Sequence, residues 1–272
     1  MLGGGGITGI AWEMGVLKGL GEAGVDVRNA DTILGTSAGS VVGTLLLCRD
    51  LDELDSEQNK LSDKALGGTF SPGAMVRAIP QMVSTGGPIE RRRRIGQVSM
   101  RAHQWRGPDR VEVIRERLGV SEWPPGRDLR IAAMNAETGE IVVFDSTSGV
   151  DLVRAVAASC AVPMVWPPVE IDGHFYIDGG VRSPTNIDLV TDADAMLVLS
   201  PLPVSTTRYH SVRSQLRRAG ALQRVVITPD REARWAMGYR VLDPSRSPQA
   251  IAAGIRQGIE SAPRVAAMWP SN

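Results

Sequence analysis

The residues best suited to chemistry lie at Gly35–Gly39, where the sequence G-T-S-A-G fits the pattern G-x-S-x-G. A short apolar run, Thr32–Leu34, precedes it and predicts a buried strand, and the small apolar residues 38–48 predict a buried helix. A serine on a sharp strand-to-helix turn projects its hydroxyl into a cleft, and glycines flank it because a Cβ would collide there. The pattern indicates Ser37 as a nucleophile, and a simple helix N-cap is the alternative.

A run of glycines, Gly3–Gly6, precedes a helix that apolar periodicity predicts over residues 7–20. Bare backbone amides in such a turn can closely approach a negatively charged oxygen. The amide of Ala38 follows the nucleophile at the start of the next helix, where negative charge is stabilised. We therefore expect the Gly3–Gly6 turn to make an oxyanion hole, with the Ala38 amide as one further donor.

The same glycines allow a second interpretation, because Gly4, Gly6 and Gly9 also fit G-x-G-x-x-G. Asp26 or Asp31 lies at about the distance at which a dinucleotide-binding fold places its ribose-binding acid. A nucleotide-binding, non-hydrolytic protein and a purely structural turn therefore stay open as alternatives.

A nucleophilic serine needs a proton acceptor, and the sequence has three histidines, His103, His174 and His210. For His103 and His210 we expect solvated surface positions. His174 shares a strand face with Asp178, but the two lie four residues apart along the strand, a separation of about 13 Å. Asp178 stands before Gly179–Gly180 and could accept the proton directly or brace that turn.

Composition limits the alternatives further. The 272 residues include 30 basic and 30 acidic side chains, so no overall field favours nucleic acid as a partner. Two cysteines, Cys48 and Cys160, are predicted to be free thiols. The N-terminus resembles no secretory signal and no apolar run reaches the length of a membrane span, so we expect a cytoplasmic protein, whose true N-terminus could lie upstream of Met1.

Strands and helices alternate along most of the chain. We predict one catalytic domain over residues 1–272, an α/β fold of three layers with a mostly parallel central sheet flanked by helices. Glycine, proline and arginine accumulate over 66–127, which predicts an inserted helical cap. The predicted later elements are strands at 129–133, 141–144, 195–199 and 224–228, a hairpin over 169–177, and helices at 151–158 and 248–267.

A basic segment, residues 91–117, contains nine arginines and three acidic residues, a net charge of 9 − 3 = +6. Apolar side chains are interleaved with these arginines. The segment predicts peripheral contact with an anionic membrane, and a solvated charged face is an equally good alternative.

Three elements in this order, the glycine turn with its helix, G-T-S-A-G and Asp178-Gly179-Gly180, resemble the patatin-like phospholipases. The resemblance implies a lipid acyl hydrolase with a Ser37–Asp178 dyad, an acyl-enzyme and no cofactor or metal. It also implies that the amides of Gly4, Gly5 and Gly6 are oxyanion donors. The motif glycines are Gly9, Gly35, Gly39, Gly179 and Gly180. Thr8 stands where that family usually has a basic residue. An unrelated esterase or thioesterase that uses His174 in a triad remains the main alternative.

Overall fold

The computed structural model describes residues 1–49, 86–101, 109–202 and 207–269. The helices in these ranges are α1 (Gly6–Glu22), α2 (Ala38–Cys48), α3 (Pro88–Arg101), α4 (Arg110–Leu118), α5 (Leu152–Ser159), α6 (Val212–Ala219), α7 (Arg231–Met237) and α8 (Ser247–Ala266). The strands are β1 (Thr32–Thr36), β2 (Asp128–Asn135), β3 (Ile141–Phe144), β4 (Val169–Ile171), β5 (His174–Asp178), β6 (Ala195–Leu199) and β7 (Gln223–Ile227). The strands and helices predicted outside the cap are present wherever the structure describes the chain.

The sheet is mixed, which corrects the prediction of a mostly parallel one. Strands β1 and β2 are parallel, as are β6 and β7, whereas β3 and β5 run antiparallel to β2 and β4 runs antiparallel to β5. The β2–β3 and β4–β5 pairs are antiparallel because short connections join them, and a two-residue turn such as Asp172-Gly173 can only join antiparallel neighbours. Leu2 bridges Gly35 of β1 and Leu199 of β6 and so links the two parallel pairs.

Strands β1 and β5 end against each other on one edge of β2. Thr36 pairs with Ala132, and Asp178 pairs with the next residue, Ala133. Strand β3 occupies the other edge of β2 at both of these positions. Because β1 and β5 run in opposite directions, the residue after β1 and the last residue of β5 meet there.

Hydrophobic residues fill both sides of the sheet with the two-residue period of a strand. Ile33 and Ile131 belong to the larger core, to which α1, α2, α5 and α8 contribute. Their neighbours Leu34 and Ala132 belong to a smaller core with Leu216 of α6. Helices therefore cover both faces of the sheet.

The predicted cap lies only partly within the described residues. Residues 66–85 and 102–108 lie outside them. So does the whole of 50–63, an acidic stretch whose sequence predicts a helix. Within the segment, α4 buries Ile114 and Leu118 completely in the larger core. Ile95 of α3 packs near Met134 and Ile177. In the part of the chain that the structure describes, no helix has the length and apolarity to span a membrane.

Helices α1 and α8 cross at their backbones. Gly15 and Gly19 of α1 face Gly254 and Gly258 of α8, and a Cβ on any of the four would collide with a backbone carbonyl group of the other helix. Such close contact fixes α1, whose first turn carries the glycine loop of the site.

We predict that Gly254→Ala destabilises the fold, because its Cβ would meet the Trp12 carbonyl oxygen. Overpacking of this kind costs about 1–3 kcal/mol of unfolding free energy. The matched control is Gly21→Ala in α1, where a Cβ meets nothing within 4 Å and alanine favours the helix by up to about 1 kcal/mol. Urea unfolding measures both variants, and equal midpoints would contradict the close crossing.

Candidate active site

Ser37 occupies a strained turn between β1 and α2. Its φ of 52° and ψ of −113° place a non-glycine residue at positive φ. Such backbone conformations cost about 1–3 kcal/mol and persist only where the surroundings enforce them. Although Ser37 is the N-cap residue of α2, its side chain makes no capping hydrogen bond. The helix-cap alternative therefore does not account for the hydroxyl.

Neighbouring side chains hold the Ser37 backbone on both sides. The Ser37 amide donates to Ser159 Oγ at 2.8 Å, and that hydroxyl donates to the Ala132 carbonyl at 2.7 Å. The Ser37 carbonyl accepts from Ser40 Oγ at 2.6 Å and from Cys160 Sγ at 3.2 Å. Sequence reasoning missed these roles of Ser159 and Cys160, because neither residue belongs to a motif with an independent chemical meaning.

The two glycines of the elbow are required by close packing. A Cβ on Gly35 would lie 2.6 Å from Ser40 Cα, and one on Gly39 would collide with the Leu2 carbonyl. The Gly39 amide donates to the Gly3 carbonyl at 3.0 Å. The serine elbow and the glycine loop are thus one packed unit.

The Ser37 hydroxyl donates to Asp178. The Oγ to Oδ2 distance is 2.7 Å, and both residues are buried, with 8 % and 5 % of their surface exposed. The other carboxylate oxygen, Oδ1, accepts from the Gly180 amide at 2.7 Å. A Cβ on Gly179 would lie 2.5 Å from the Ala132 carbonyl oxygen, so this turn also requires glycine. Asp178 therefore braces its turn and contacts the serine at the same time.

Burial raises the pKa of Asp178 to about 6. The hydrogen bonds from Ser37 and Gly180 and the positive charge of Arg110 act in the opposite direction. Arg110 is buried, stacks 4.2 Å from the Trp166 ring centroid and donates to the Cys160 carbonyl at 3.2 Å. A carboxyl group with this pKa can exchange a proton near neutral pH.

The amides of the glycine loop divide into two groups. The Gly4 amide donates to the Pro184 carbonyl at 2.7 Å, so we remove Gly4 from the expected oxyanion donors. The amides of Gly5, Gly6 and Ala38 have no acceptor among the described residues. These three amides are available to a negatively charged oxygen.

Glu13, a residue of α1, holds the glycine loop in place. Its Oε1 accepts from the Gly3 amide at 2.8 Å, and complete burial raises the pKa of its carboxyl group well above the usual value. Gly9 lies in the first turn of α1, and its amide donates to the Gly5 carbonyl at 2.9 Å. Thr8 is fully buried, so this position presents nothing to the cavity.

A cavity of about 420 Å³ opens onto Ser37 and Asp178. Part of its wall is apolar, formed by Ile95, Val162–Val165, Val181, Leu202, Val241 and Leu242. Another part carries Arg91, Arg92, Arg182 and His210. The site can therefore hold a molecule with both an apolar and a polar part.

Among the described residues, no histidine completes a triad with Ser37 and Asp178. His174 begins β5, lies at the surface and contacts Glu137 Oε2 at 3.0 Å. His103 lies outside the described residues. His210 is buried and lines the cavity, so the expectation of a solvated surface position is wrong for it. The polar sequence around His210 gave no signal of this burial.

The dinucleotide alternative gains no support from its acidic residues. Asp26 pairs with Arg28 at 2.9 Å on the surface, and Asp31 is exposed. The cavity at the glycine loop contains the serine and Asp178 instead.

Comparison with known proteins decides the family. The model of the family described as Patatin-like phospholipase matches residues 1–191. This chain belongs to the patatin-like phospholipase family. The match includes the glycine loop, the serine elbow and Asp178, and membership supports the hydrolysis of lipid esters.

Two solved structures are similar to this patatin-like chain at low identity. VipD from Legionella pneumophila is 16% identical, over 66% of this chain and 45% of that chain, with a TM-score of 0.38. The type III effector protein ExoU is 18% identical, over 96% of this chain and 52% of that chain, with a TM-score of 0.41. The chain thus spans about half the length of these proteins.

We predict that the raised pKa of Asp178 lowers the free energy of unfolding at pH values above the pKa of an aspartate in the unfolded chain. Between about pH 4 and about pH 6 the folded protein keeps a proton that the unfolded chain loses, so the unfolding free energy falls as pH rises. Relative to Asp178→Asn, the wild type should lose a few kcal/mol over this window. Urea unfolding across pH measures the difference, and parallel curves for the two proteins would contradict the burial effect.

Proposed function

We propose that this protein is a serine hydrolase that cleaves carboxylic ester bonds of lipids through a Ser37–Asp178 dyad and an acyl-enzyme. The observation that carries the proposal is the 2.7 Å hydrogen bond from a non-capping serine hydroxyl to a buried carboxylate. Family membership and the apolar wall of the cavity support a lipid as the substrate.

In the acylation step, Asp178 accepts the hydroxyl proton while Ser37 Oγ attacks the ester carbonyl carbon. The carbonyl oxygen becomes a tetrahedral oxyanion, for which we assign the amides of Gly5, Gly6 and Ala38 as donors. Cleavage of the ester bond then releases the alcohol, which takes the proton from Asp178. Ser37 remains as an acyl ester.

In the deacylation step, a water molecule replaces the alcohol and gives a proton to Asp178. The oxygen of this deprotonated water attacks the acyl carbon, and the same amides stabilise the second oxyanion. The bond between Ser37 Oγ and the acyl carbon then breaks. Ser37 Oγ recovers its proton from Asp178, and the fatty acid leaves. The dyad accounts for every proton transfer, and the backbone amides stabilise the two oxyanions.

The environment of Asp178 explains how an aspartate can replace histidine in this cycle. A general base works best when its pKa lies near the working pH, and burial brings the pKa of Asp178 to about 6. The hydrogen bonds from Ser37 and Gly180 limit that rise, and the charge of Arg110 adds to them, so the carboxylate stays ionised at neutral pH. We therefore assign Arg110 as a positioning residue that acts through Asp178.

Peripheral membrane contact through residues 91–117 stays a prediction. The described arginines of this segment have different environments. Arg110 is buried, Arg93 and Arg94 pair with Glu90, and Arg91 lines the cavity.

We predict that Ser37→Ala lowers hydrolysis of nitrophenyl esters by about 10⁴-fold or more, and that Asp178→Asn lowers it by about 10²–10⁴-fold. The control His174→Ala removes a surface group and should retain activity within about twofold. In the wild type, kcat/KM should rise with acyl length because the cavity wall is apolar.

Thermal unfolding of each variant separates loss of catalysis from loss of folding. A folded Ser37→Ala protein with wild-type activity would refute the proposal. Loss of activity in folded His174→Ala would favour a triad instead.

A further inference from the structure

Asn186 is a buried polar residue to which the hydrolytic steps assign no role. It precedes a short 3₁₀ helix (Ile187–Leu189), and its surface is fully buried. Its φ of 46° and ψ of 34° lie in the left-handed region, which costs free energy for a residue other than glycine. Asparagine is one of the few residues that tolerate this conformation. A buried amide held there indicates that its side chain makes a specific contact.

The side-chain nitrogen of Asn186 contacts both arms of the dyad. Nδ2 donates at 3.2 Å to Thr36 Oγ1, in the residue before the nucleophile, and at 3.2 Å to the carbonyl of Gly179, the residue after Asp178. It also donates to the Ser183 carbonyl at 2.9 Å, so three acceptors share two hydrogens. One NH2 group thus joins the end of β1 to the turn that follows β5.

A network of charged groups fixes the direction in which this amide faces. Asn186 Oδ1 accepts from Arg182 Nη1 at 2.8 Å. A guanidinium group can only donate hydrogen bonds, so the amide cannot turn over without placing its NH2 group against another donor. Arg182 is itself held by both oxygens of Asp188, at 2.9 and 2.8 Å, and Arg218 of α6 donates to the same carboxylate at 2.7 Å. The NH2 group therefore stays directed toward the dyad.

The contact of Asn186 with both arms matters because the strands that carry them meet only through β2. Thr36 pairs with Ala132 and Asp178 pairs with Ala133, and the described strand pairs include none between β1 and β5. The side chain of Asn186 provides a direct connection between the two strand ends, beside the 2.7 Å hydrogen bond of the dyad.

We infer that Asn186 is a positioning residue that keeps Ser37 Oγ within hydrogen-bond distance of Asp178, an inference that rests on the proposed function. It acts through Thr36 and Gly179 and not through the substrate, since the described residues that line the cavity do not include it. A misplacement of about 1 Å between reacting groups can lower a rate by about 100-fold. Loss of this contact should therefore lower kcat and leave KM nearly unchanged.

The kinetic test compares Asn186→Gly, in which glycine tolerates the positive φ, with Asn135→Gly. Asn135 is a matched control because its Oδ1 braces the β2–β3 turn, accepting from the backbone amides of Glu137 and Thr138 at 2.8 and 3.0 Å. In Asn186→Gly, kcat for a nitrophenyl ester should fall by about 10- to 100-fold, with KM within about twofold. Asn135→Gly should keep kcat within about twofold.

A second pair of variants tests the same contact from its other end. Thr36→Val removes the hydroxyl that accepts from Asn186 and keeps nearly the same shape, whereas Thr36→Ser keeps the hydroxyl. We expect kcat to fall by about tenfold in the valine variant and to be largely restored in the serine variant. Thermal unfolding shows whether each variant is folded.

An NMR titration measures the geometry without hydrolysis. Burial raises the pKa of Asp178 to about 6, and the hydrogen bond from Ser37 opposes that rise, as do the Gly180 amide and the charge of Arg110. A longer distance between Ser37 and Asp178 should therefore raise this pKa further. Carbon-13 NMR of the Asp178 carboxyl, assigned by its absence in Asp178→Asn, should show the increase in Asn186→Gly and no change in the control.

The outcomes separate the inference from the proposed function. Wild-type kcat in folded Asn186→Gly, a loss chiefly in KM, an equal loss in Asn135→Gly, or an unchanged pKa of Asp178 would each overturn the positioning role. If Asn186→Gly does not fold, equal kcat in the valine and serine variants of Thr36 would overturn it. A raised pKa of Asp178 in Asn186→Gly, together with full activity in folded Ser37→Ala, would support the positioning role and refute the proposed hydrolysis.

Discussion

The hydrogen bond from Ser37 to Asp178 depends on two strands that end head to head on one edge of β2. Thr36 and Asp178 pair with consecutive residues of β2, so the turn after β1 and the end of β5 have no freedom to separate. Ser159, Ser40 and Cys160 then hold the Ser37 backbone at positive φ, and the hydroxyl stays directed away from α2. The packing of α8 against α1 also holds the glycine loop in place beside this junction, because the first turn of α1 carries the loop.

The second constraint is the burial of charge around the dyad. Desolvation raises the pKa of Asp178 toward neutrality, and the hydrogen bonds from Ser37 and Gly180, with a smaller contribution from the charge of Arg110, limit the rise. On the cavity wall the balance differs, because Arg92 has a buried nitrogen without an acceptor among the described residues.

Local patterns predicted much of this site. The glycines on either side of Ser37 and the two after Asp178 form short, recognisable motifs, so their spacing indicates tight turns, although the contacts that require Gly39 and Gly179 come from Leu2 and Ala132. The bounds of α2 and the hairpin at Asp172-Gly173 follow from similarly local rules. Sequence reasoning failed where pairing partners decide the outcome, as in the direction of β3 and β5.

Long-range contacts explain the other differences. Gly4 looks like an oxyanion donor until Pro184, far along the chain, accepts its amide. His210 looks solvated until α6 and the Arg182–Asp188 pair enclose it, and Arg91 and Arg92 look like one surface charge run until α3 places them at the cavity. None of these contacts can be predicted from the few residues on either side of the group concerned.

The most direct test of the dyad is covalent labelling with an alkyl fluorophosphonate, followed by peptide mass spectrometry. The account predicts a single adduct on Ser37, formed much more slowly in folded Asp178→Asn because the hydroxyl then lacks its proton acceptor. An adduct on another serine, or equal labelling of Ser37 in both proteins, would contradict it.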